Sequence, residues 1–399
     1  MLDKWSIRKI CDIIDVNPKE YLSKGKTAKK IPMDTLRPFC RDISKYELSE
    51  YSGGVKFRNG DTIMARITPC LENGKTAKVS ILEDNEVGFG STEYIVFRTI
   101  DGISDEDFIY YLVCSPIVRE PAIKSMVGSS GRQRVQTDVL KNLKICVPDL
   151  ETQCKIGSLL KSIDDKISLN TKINENLEQQ AQAIFKSWFV DFEPFGGVMP
   201  DDWRIGTVLD LSKEIICGKT PSTRKKEYYG DYMPFITIPD MHNRVYTTTT
   251  ERYLSELGAN SQMKKTLPKN SICVSCIGTA GLVALVSTDS QTNQQINSIV
   301  PKEGYSSYYI FLLMQTFSEK INRLGQSGST IVNLNKAQFG MMEALVPTVS
   351  SMNDFDSVAK PLFEKILANQ QGNQRLATLR DTLLPKLMNG EIDVSEVEI

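Results

Sequence analysis

The sequence predicts a protein of the α+β class that is built as a tandem duplication. Three observations support this prediction: an internal repeat, a heptad pattern in the last part of each repeat, and apolar runs separated by turn signals in the remainder. The chain has 399 residues, which at about 150 residues per domain favours two to three domains. A duplicated unit fits this length.

The internal repeat is visible at three landmarks that occur in the same order in both halves. Chance could produce one matching pair, but three ordered matches at nearly the same offset are hard to obtain by chance. The repeating unit is therefore about 199 residues long. The matching segments are Asp3–Ile7 with Asp201–Ile205, Gly128–Gly131 with Gly325–Gly328 followed by Val135-Gln136 with Val332-Asn333, and Val147-Pro148 with Val346-Pro347.

The last part of each repeat carries a heptad pattern, which is typical of a helix that packs on another helix. Each helix would have roughly 33 residues and a length of about 50 Å. Asn170 and Asn174 in the first pattern are equivalent to Asn369 and Asn373 in the second. A buried asparagine fixes helix register at a cost in stability. The other positions are Ile156, Leu160, Ile163, Ile167, Leu177, Ala181, Ile184 and Trp188, and Phe355, Ala359, Leu362, Ile366, Leu376, Arg380, Leu383 and Leu387.

We expect these two helices to pack on each other, because the shared asparagines disfavour the alternative of two separate amphipathic surface helices. The predicted organisation is a globular domain over 1–150, a helical segment over 151–192, a second globular domain over 197–348 and a second helical segment over 349–390. Within the domains, strands are predicted at Thr62–Ile67, Tyr94–Arg98, Ser271–Ile277 and Leu282–Val286, and short helices at Asp107–Cys114 and Ser306–Phe317.

The sequence contains no recognisable catalytic constellation. Each of its three Gly-Lys-Thr tripeptides lacks the earlier glycine that a phosphate-binding loop requires. Cys273 and Cys276 have no second pair of cysteines or histidines to complete a structural zinc site, so we expect two buried thiols and no metal. His242 is the single histidine, which excludes mechanisms that need two.

Composition excludes further classes of protein. No apolar run approaches the roughly 18 residues of a membrane-spanning helix, and the N-terminal residues do not resemble a secretory signal. The nine cysteines are scattered, which fits a reducing compartment, so we expect the cytoplasm. The formal net charge of −1 is too small for binding a polyanion through bulk charge, so DNA binding would depend on local patches.

Two duplicated, binding-sized domains with paired helices suit a protein that recognises a linear target in two parts, and DNA is such a target. One loop of each domain supports this hypothesis, because arginine can bind guanine and glutamine can bind adenine through paired hydrogen bonds in the major groove. The repeat keeps the glycines of this loop and changes its polar residues. The candidate DNA-binding residues are Arg132, Gln133, Arg134 and Gln136 in the first domain, Ser329, Thr330 and Asn333 in the second, and Arg224, Lys225 and Lys226 as phosphate contacts.

The chain resembles the specificity subunit of type I restriction–modification enzymes over essentially its whole length, in a matching order and with the same duplication. The segments similar to the family's target recognition domains and helical regions are Met64–Lys75, Gly90–Phe97, Thr220–Thr223, Ile236–Asp240, Asn176–Phe185 and Leu383–Ile392.

This resemblance implies two globular target recognition domains separated by two long antiparallel coiled-coil helices with pseudo-twofold symmetry. It implies a non-catalytic subunit that binds a bipartite double-stranded DNA target and directs two DNA-methyltransferase subunits, with restriction subunits added for cleavage. S-adenosylmethionine and ATP would be bound by those partners.

Two alternative functions are a duplicated scaffold that binds only proteins and a stand-alone enzyme. A bipartite DNA footprint would exclude the first, and methylation by the purified chain alone would support the second.

The methyltransferase subunits are expected to dock on the helices. Ile184, Phe185, Trp188 and Phe189 provide more apolar surface than a two-helix seam can bury, and leaving such surface exposed would be costly. We therefore expect partner docking at these residues and low solubility of the isolated chain.

Arg380 interrupts the second heptad pattern, which leaves open whether that helix is fully paired there or faces a partner.

Overall fold

The computed structural model describes residues 5–129, 131–325 and 334–397, and the chain divides into two compact units. The first unit comprises Met1–Ser168 together with Gln374–Ile399, and the second comprises Leu169–Asn373. Each unit therefore contains one globular region and a part of both long helices.

The first unit alternates strands with short helices. Its elements are β1 (Trp5–Lys9), β2 (Ile14–Val16), β3 (Thr27–Ile31), β4 (Glu47–Glu50), β5 (Val55–Phe57), β6 (Thr62–Ala65), β7 (Thr76–Lys78), β8 (Gly88–Gly90), β9 (Tyr94–Thr99), α1 (Glu106–Cys114), α2 (Pro116–Lys124), α3 (Thr137–Lys141) and β10 (Lys144–Pro148). Among the described residues these strands form three sheets, with the orders β1-β10, β2-β9-β6-β7 and β4-β3-β8-β5. The long helix α4 (Leu150–Phe189) follows directly.

The second unit has a similar series of elements. They are β11 (Arg204–Thr207), α5 (Val208–Leu211), β12 (Ser212–Cys217), β13 (Tyr229–Ile236), α6 (Ile238–Met241), β14 (Tyr246–Thr247), β15 (Arg252–Leu254), α7 (Glu256–Asn260), β16 (Ile272–Ser275), β17 (Val283–Val286), β18 (Gln291–Thr292), β19 (Ile296–Pro301), α8 (Ser307–Thr316), α9 (Ser318–Gly325), α10 (Lys336–Gly340) and β20 (Glu343–Val346). The second long helix, α11 (Val349–Met388), follows.

The sheets of the two units repeat one topology. The pair β11-β20 corresponds to β1-β10, and the order β12-β19-β16-β17 corresponds to β2-β9-β6-β7, with β14 added at one edge. In the third sheet, β13 runs parallel to β18 as β3 runs parallel to β8. The predicted α+β class and the tandem duplication are therefore confirmed.

The central strands are continuous apolar runs because both of their faces are covered. In the first unit, Ile63 of β6 belongs to one buried cluster, while its neighbour Met64 belongs to another that includes Phe108 of α1. In the second unit, Ile272 and Cys273 of β16 likewise lie in two different clusters. Strands that are buried on both faces lose the apolar–polar alternation of a half-exposed strand.

The helices α4 and α11 pack on each other in an antiparallel direction. Within the second unit, the side chain of Asn170 bonds to Asn373 at 2.8 Å, and that of Asn174 bonds to Asn369 at 2.8 Å. Later residues of α4 thus meet earlier residues of α11. Each helix has 40 residues and is longer than predicted, at about 60 Å.

The first unit shows how Arg380 is accommodated in the second heptad pattern. Its Nη1 donates to Oδ1 of Asp164 at 2.7 Å, and both side chains are mostly buried, with 13% and 7% exposed. The hydroxyl of Tyr111 donates to the other oxygen of Asp164 at 2.7 Å. The helix is therefore paired at this position.

Candidate DNA interface

Three segments of the first unit meet at the loop that contains the predicted DNA-binding residues. The amide of Val135 donates to the carbonyl of Arg66 at 2.9 Å, and the amide of Arg66 donates to the carbonyl of Glu93 at 2.9 Å. Arg134 also forms isolated bridges with Ile67 and Val127. The described residues 66–68, 91–93, 127–129 and 131–136 therefore form one polar surface, which we call the first-unit polar surface.

Arg134 forms an ion pair with Glu93 on this surface. Its Nε and Nη2 atoms donate to the Glu93 carboxylate at distances of 2.6 to 2.9 Å, and 46% and 23% of the two side chains are exposed. The hydrogen bond from Arg134 lowers the pKa of Glu93 below its ordinary value, and the positive charge of Arg66 acts in the same direction. The carboxylate is therefore ionised at neutral pH.

The other three predicted residues of this loop lie beside the ion pair. The side chains of Arg132 and Gln136 are exposed, and that of Gln133 is half-buried. The backbone of Gln133 exchanges hydrogen bonds with Thr68, through its amide to Oγ1 at 2.9 Å and through its carbonyl at 3.1 Å. These contacts hold the backbone of an exposed polar loop in place.

Sequence reasoning missed Arg66 and Glu93 as members of this surface. Both lie within segments that carried the family resemblance. An acidic residue is not an obvious DNA contact when it is considered alone, and Glu93 lies 41 positions before Arg134 in the chain. The signal that could have identified Glu93 is its position directly before the predicted strand at Tyr94.

The second unit repeats the backbone of this surface. The amide of Cys276 donates to the carbonyl of Gln295 at 2.8 Å, and the amide of Leu334 donates to the carbonyl of Cys276 at 3.0 Å. Leu334 therefore has the backbone partners that correspond to those of Val135, whereas Val332 and Asn333, which the sequence matched to Val135 and Gln136, lie outside the described residues. The hydrogen-bonding partners of the backbone, and not the polar sequence of the loop, define the equivalence.

The same comparison places two glutamines at the second-unit polar surface, defined by the described residues 219–220, 276–278 and 293–295. Gln295 corresponds to Glu93, and its side chain accepts a hydrogen bond from Asn293 at 3.0 Å. Gln294 is exposed and accepts from Thr220 Oγ1 at 2.6 Å. The predicted DNA-binding residues Ser329, Thr330 and Asn333 lie outside the described residues.

Gly218 allows the segment that precedes the predicted phosphate contacts to approach the second-unit polar surface. A Cβ atom at this position would lie 2.1 Å from the carbonyl oxygen of Asn293, so no other residue fits without a shift of the backbone. The amide of Lys219 donates to the carbonyl of Thr292 at 2.9 Å. This contact anchors the start of the basic stretch.

Arg224, Lys225 and Lys226 are all exposed, as a phosphate-contacting stretch requires. Lys225 lies over the ring of Tyr228 at 4.9 Å and bonds to its hydroxyl at 3.1 Å. This arrangement restricts one long side chain of the stretch without neutralising its charge.

Burial contradicts the expected docking surface at Phe185 and Phe189, whereas Ile184 and Trp188 are half-buried, and partner docking at those two residues stays a prediction. Phe185 and Phe189 are only 4% and 6% exposed, and the other two residues pack against the same core of the second unit. The reason is that this end of α4 packs against the globular region as well as against α11, and sequence periodicity does not reveal the additional contact. The aromatic contacts of these residues are Phe185 and Phe189 with Tyr309, Phe189 with Trp203, and Trp188 with Phe195 and Phe355.

Cys273 and Cys276 are both buried with free thiols, as predicted. Burial raises the pKa of Cys273 to about 12 and that of Cys276 to about 11, so neither thiol is ionised at neutral pH. In the part of the chain that the structure describes, no cluster of three or more His, Cys, Asp or Glu side chains could hold a metal ion. No helix among the described residues is both long enough and apolar enough to span a bilayer.

The chain contains two copies of one fold with different polar surfaces, and its similarity to known proteins identifies its class. The family described as "Type I restriction modification DNA specificity domain" matches residues 2–179 and 200–348. The chain belongs to this family. It is a DNA specificity subunit and not a catalytic one.

Individual relatives agree with this assignment. The chain is 35% identical over 404 residues to the type I restriction enzyme HindI specificity subunit of Haemophilus influenzae, covering 84% of this chain and 87% of the relative. It is 28% identical over 321 residues to the MjaIX specificity subunit of Methanocaldococcus jannaschii, covering 75% and 73%. The crystal structure of the type I restriction-modification system S subunit from M. genitalium has the same fold, with a TM-score of 0.60 over 96% of both chains at 14% identity.

Proposed function

We propose that this chain recognises a bipartite DNA target for a type I restriction–modification complex. The observation that supports this most directly is the repetition of one DNA specificity domain with different side chains at equivalent positions. Glu93 in the first unit corresponds to Gln295 in the second. A carboxylate accepts hydrogen bonds only, whereas an amide both donates and accepts. The two units are therefore suited to different half-sequences.

The paired helices would set the spacing between these half-sequences. The layer of four asparagines restricts the register of α4 against α11, because a shift of either helix would leave the buried amides of Asn170 and Asn369 without partners. A fixed register gives the helix pair a fixed length. The number of base pairs between the half-sequences would follow from that length.

The chain would direct methyltransferase and restriction subunits to the target. Two copies of the methyltransferase subunit suit a chain whose two units repeat one fold. S-adenosylmethionine and ATP would be bound by those partners, because methyl transfer and DNA translocation would occur there. The cytoplasm, where the DNA target is located, would be the site of action.

The experiment that tests this proposal is single-molecule sequencing of methylated genomic DNA from a host that expresses the complete system. We expect one bipartite methylation motif, which disappears when the gene for this chain is deleted and returns when it is restored. Deletion that leaves every methylation motif in place would contradict the proposal. A scaffold without DNA recognition would give that result.

A further inference from the structure

We propose that Glu93 and Arg134 act together as one base-recognition element of the first unit, and that this element binds a G·C base pair in the major groove. The inference rests on the proposed function and extends it by assigning a base pair to two residues of the first-unit polar surface.

The backbone on both sides of the element is held in place. Arg134 exchanges hydrogen bonds with Val127, with its amide donating at 2.9 Å and its carbonyl accepting at 3.1 Å, and the carbonyl of Glu93 accepts from Arg66. The amide of Glu93 donates to the Ser91 hydroxyl at 3.1 Å. Their ion pair also restricts the two side chains, so little conformational entropy remains to be lost when they bind a ligand.

The ion pair presents a defined order of hydrogen-bonding groups. Glu93 binds the Nε–Nη2 side of the guanidinium. Nη2 carries a second hydrogen, which points away from Glu93 in the same direction as one hydrogen of Nη1. These two hydrogens can therefore donate two parallel hydrogen bonds. The carboxylate has further acceptor sites beside it. Together the two side chains present two donors followed by an acceptor.

A G·C pair presents the complementary order in the major groove. Guanine offers two acceptors, N7 and O6, and cytosine offers the N4 donor beside them. An A·T pair places the donor N6 of adenine where guanine has an acceptor. That donor would face the second donor of Arg134, so A·T is disfavoured. The element therefore selects one base pair and one orientation of it.

Local charge favours the approach of DNA to this element. Glu93 and Arg134 neutralise each other, and Arg66 acts electrostatically on the same carboxylate. Arg132 is exposed in the same loop. The surface around the carboxylate is thus net positive, which removes the repulsion that an isolated glutamate would exert on phosphates.

The second unit provides an internal comparison within the same molecule. Its residues at the positions of Arg66 and Glu93 are Cys276 and Gln295, which are uncharged. The half-sequence that the second unit recognises should therefore not depend on such an ion pair, and variants of Glu93 should leave it unchanged.

The test uses the complete complex with Glu93→Gln and Arg134→Ala, and the methylation motif is determined by sequencing. Glu93→Gln retains the size of the side chain but replaces one acceptor by a donor. We expect one G·C position of the first half-sequence to lose its selectivity by about five- to a hundredfold, while the other positions and the second half-sequence stay the same. The matched control is Glu120→Gln, which makes the same chemical change in an exposed glutamate that pairs with Lys124 at 3.5 Å and should retain the full motif.

The possible failures are distinguishable. An unchanged motif in both variants would overturn the G·C assignment and leave the proposed function intact, whereas a wild-type complex without a bipartite motif would overturn both. If Arg134→Ala prevents assembly, Arg134→Lys keeps the charge without the planar guanidinium and gives the same readout. Loss of selectivity in the second half-sequence would also contradict the inference.

Discussion

The two units pack the same helix pair in different ways. In the first unit, Asp164 of α4 and Arg380 of α11 form a buried ion pair. The repeat places Phe363 and Ala181 at the equivalent positions of the second unit, where both are fully buried in an apolar core and Phe363 stacks on Tyr308 at 4.6 Å. Equivalent positions of the helix pair thus hold oppositely charged residues in one unit and apolar residues in the other. The charged residues are tolerated because each has a hydrogen-bonding partner.

This difference also shows which features of helix packing a heptad pattern predicts and which it does not. The pattern predicts which residues face the partner helix, and Arg380 does face it. The pattern does not predict the partner of a charged residue, which here comes from the other helix and is supported by Tyr111 of the globular region. A buried ion pair is weak evidence for stability, but breaking one is costly.

The two polar surfaces differ in the same manner. The first-unit polar surface contains the charged residues Arg66, Glu93 and Arg134, while the second has Cys276 and Gln295 at the positions of the first two. The backbone hydrogen bonds are repeated, and the side chains are not. One scaffold therefore carries two different sets of hydrogen-bonding groups within the same molecule.

The largest effect is expected from lengthening the helix pair, which tests whether the units act as separate readers. Duplication of Lys166–Lys172 in α4 together with Lys365–Gln371 in α11 adds one heptad, or about 10 Å, to each helix. The seam stays in phase. The spacer of the methylation motif should grow by roughly three base pairs at about 3.4 Å per pair, with both half-sequences unchanged.

The readout for this insertion is the spacer among sites that are still methylated, because rotation of the duplex over three base pairs will lower the rate. An active double insertion that keeps the original spacer would refute the ruler mechanism. Insertion in one helix alone serves as the control, since it would bulge the pair.

Breaking the buried ion pair should destabilise the first unit. Arg380→Ala leaves the Asp164 carboxylate buried with only the Tyr111 hydroxyl, and we expect a loss of about 3–5 kcal/mol in the free energy of unfolding. The double variant Asp164→Phe with Arg380→Ala transfers the apolar pair of the second unit and should recover most of this loss. Denaturant unfolding of the full chain measures the free energy of unfolding of the single and the double variant. A double variant as unstable as the single one would show that the helix contacts of the two units are not interchangeable.

Arg132→Ala should weaken recognition by the first unit only. Its exposed side chain lies on the first-unit polar surface, and removal of one hydrogen-bonded base partner corresponds to about a five- to hundredfold decrease in affinity. Binding of the assembled complex to duplexes that carry mutations in either half-sequence measures the effect. Unchanged affinity, with the complex still assembled, would exclude Arg132 from the interface.

The smallest effect is expected from the basic stretch of the second unit. Replacement of Arg224, Lys225 and Lys226 by alanine should lower affinity for all sequences equally, because phosphate contacts carry no sequence information. The slope of log affinity against log salt should become shallower by about 0.9 for each DNA phosphate that the variant no longer neutralises. A change in the methylation motif would instead assign these residues to base recognition.

Much of the architecture could be predicted from the sequence. The repeat, the predicted strands, the two long helices and the equivalent asparagines are local or periodic features, and each is present in the structure, although both helices are longer than predicted. The buried thiols of Cys273 and Cys276 could also be predicted, because they lie in an apolar run typical of a central strand.

Other features depend on contacts between distant parts of the chain, and only the tertiary structure determines them. Glu93 meets Arg134 because β6, β9 and the loop before α3 lie side by side, and the side chains of Phe185 and Phe189 are buried because the end of α4 packs against the globular region of the second unit. Likewise, hydrogen bonds to Arg66 and Cys276 establish that Val135 and Leu334 are equivalent. Periodicity specifies which face of an element is apolar, but the residues that cover that face are set by the packing of the whole unit.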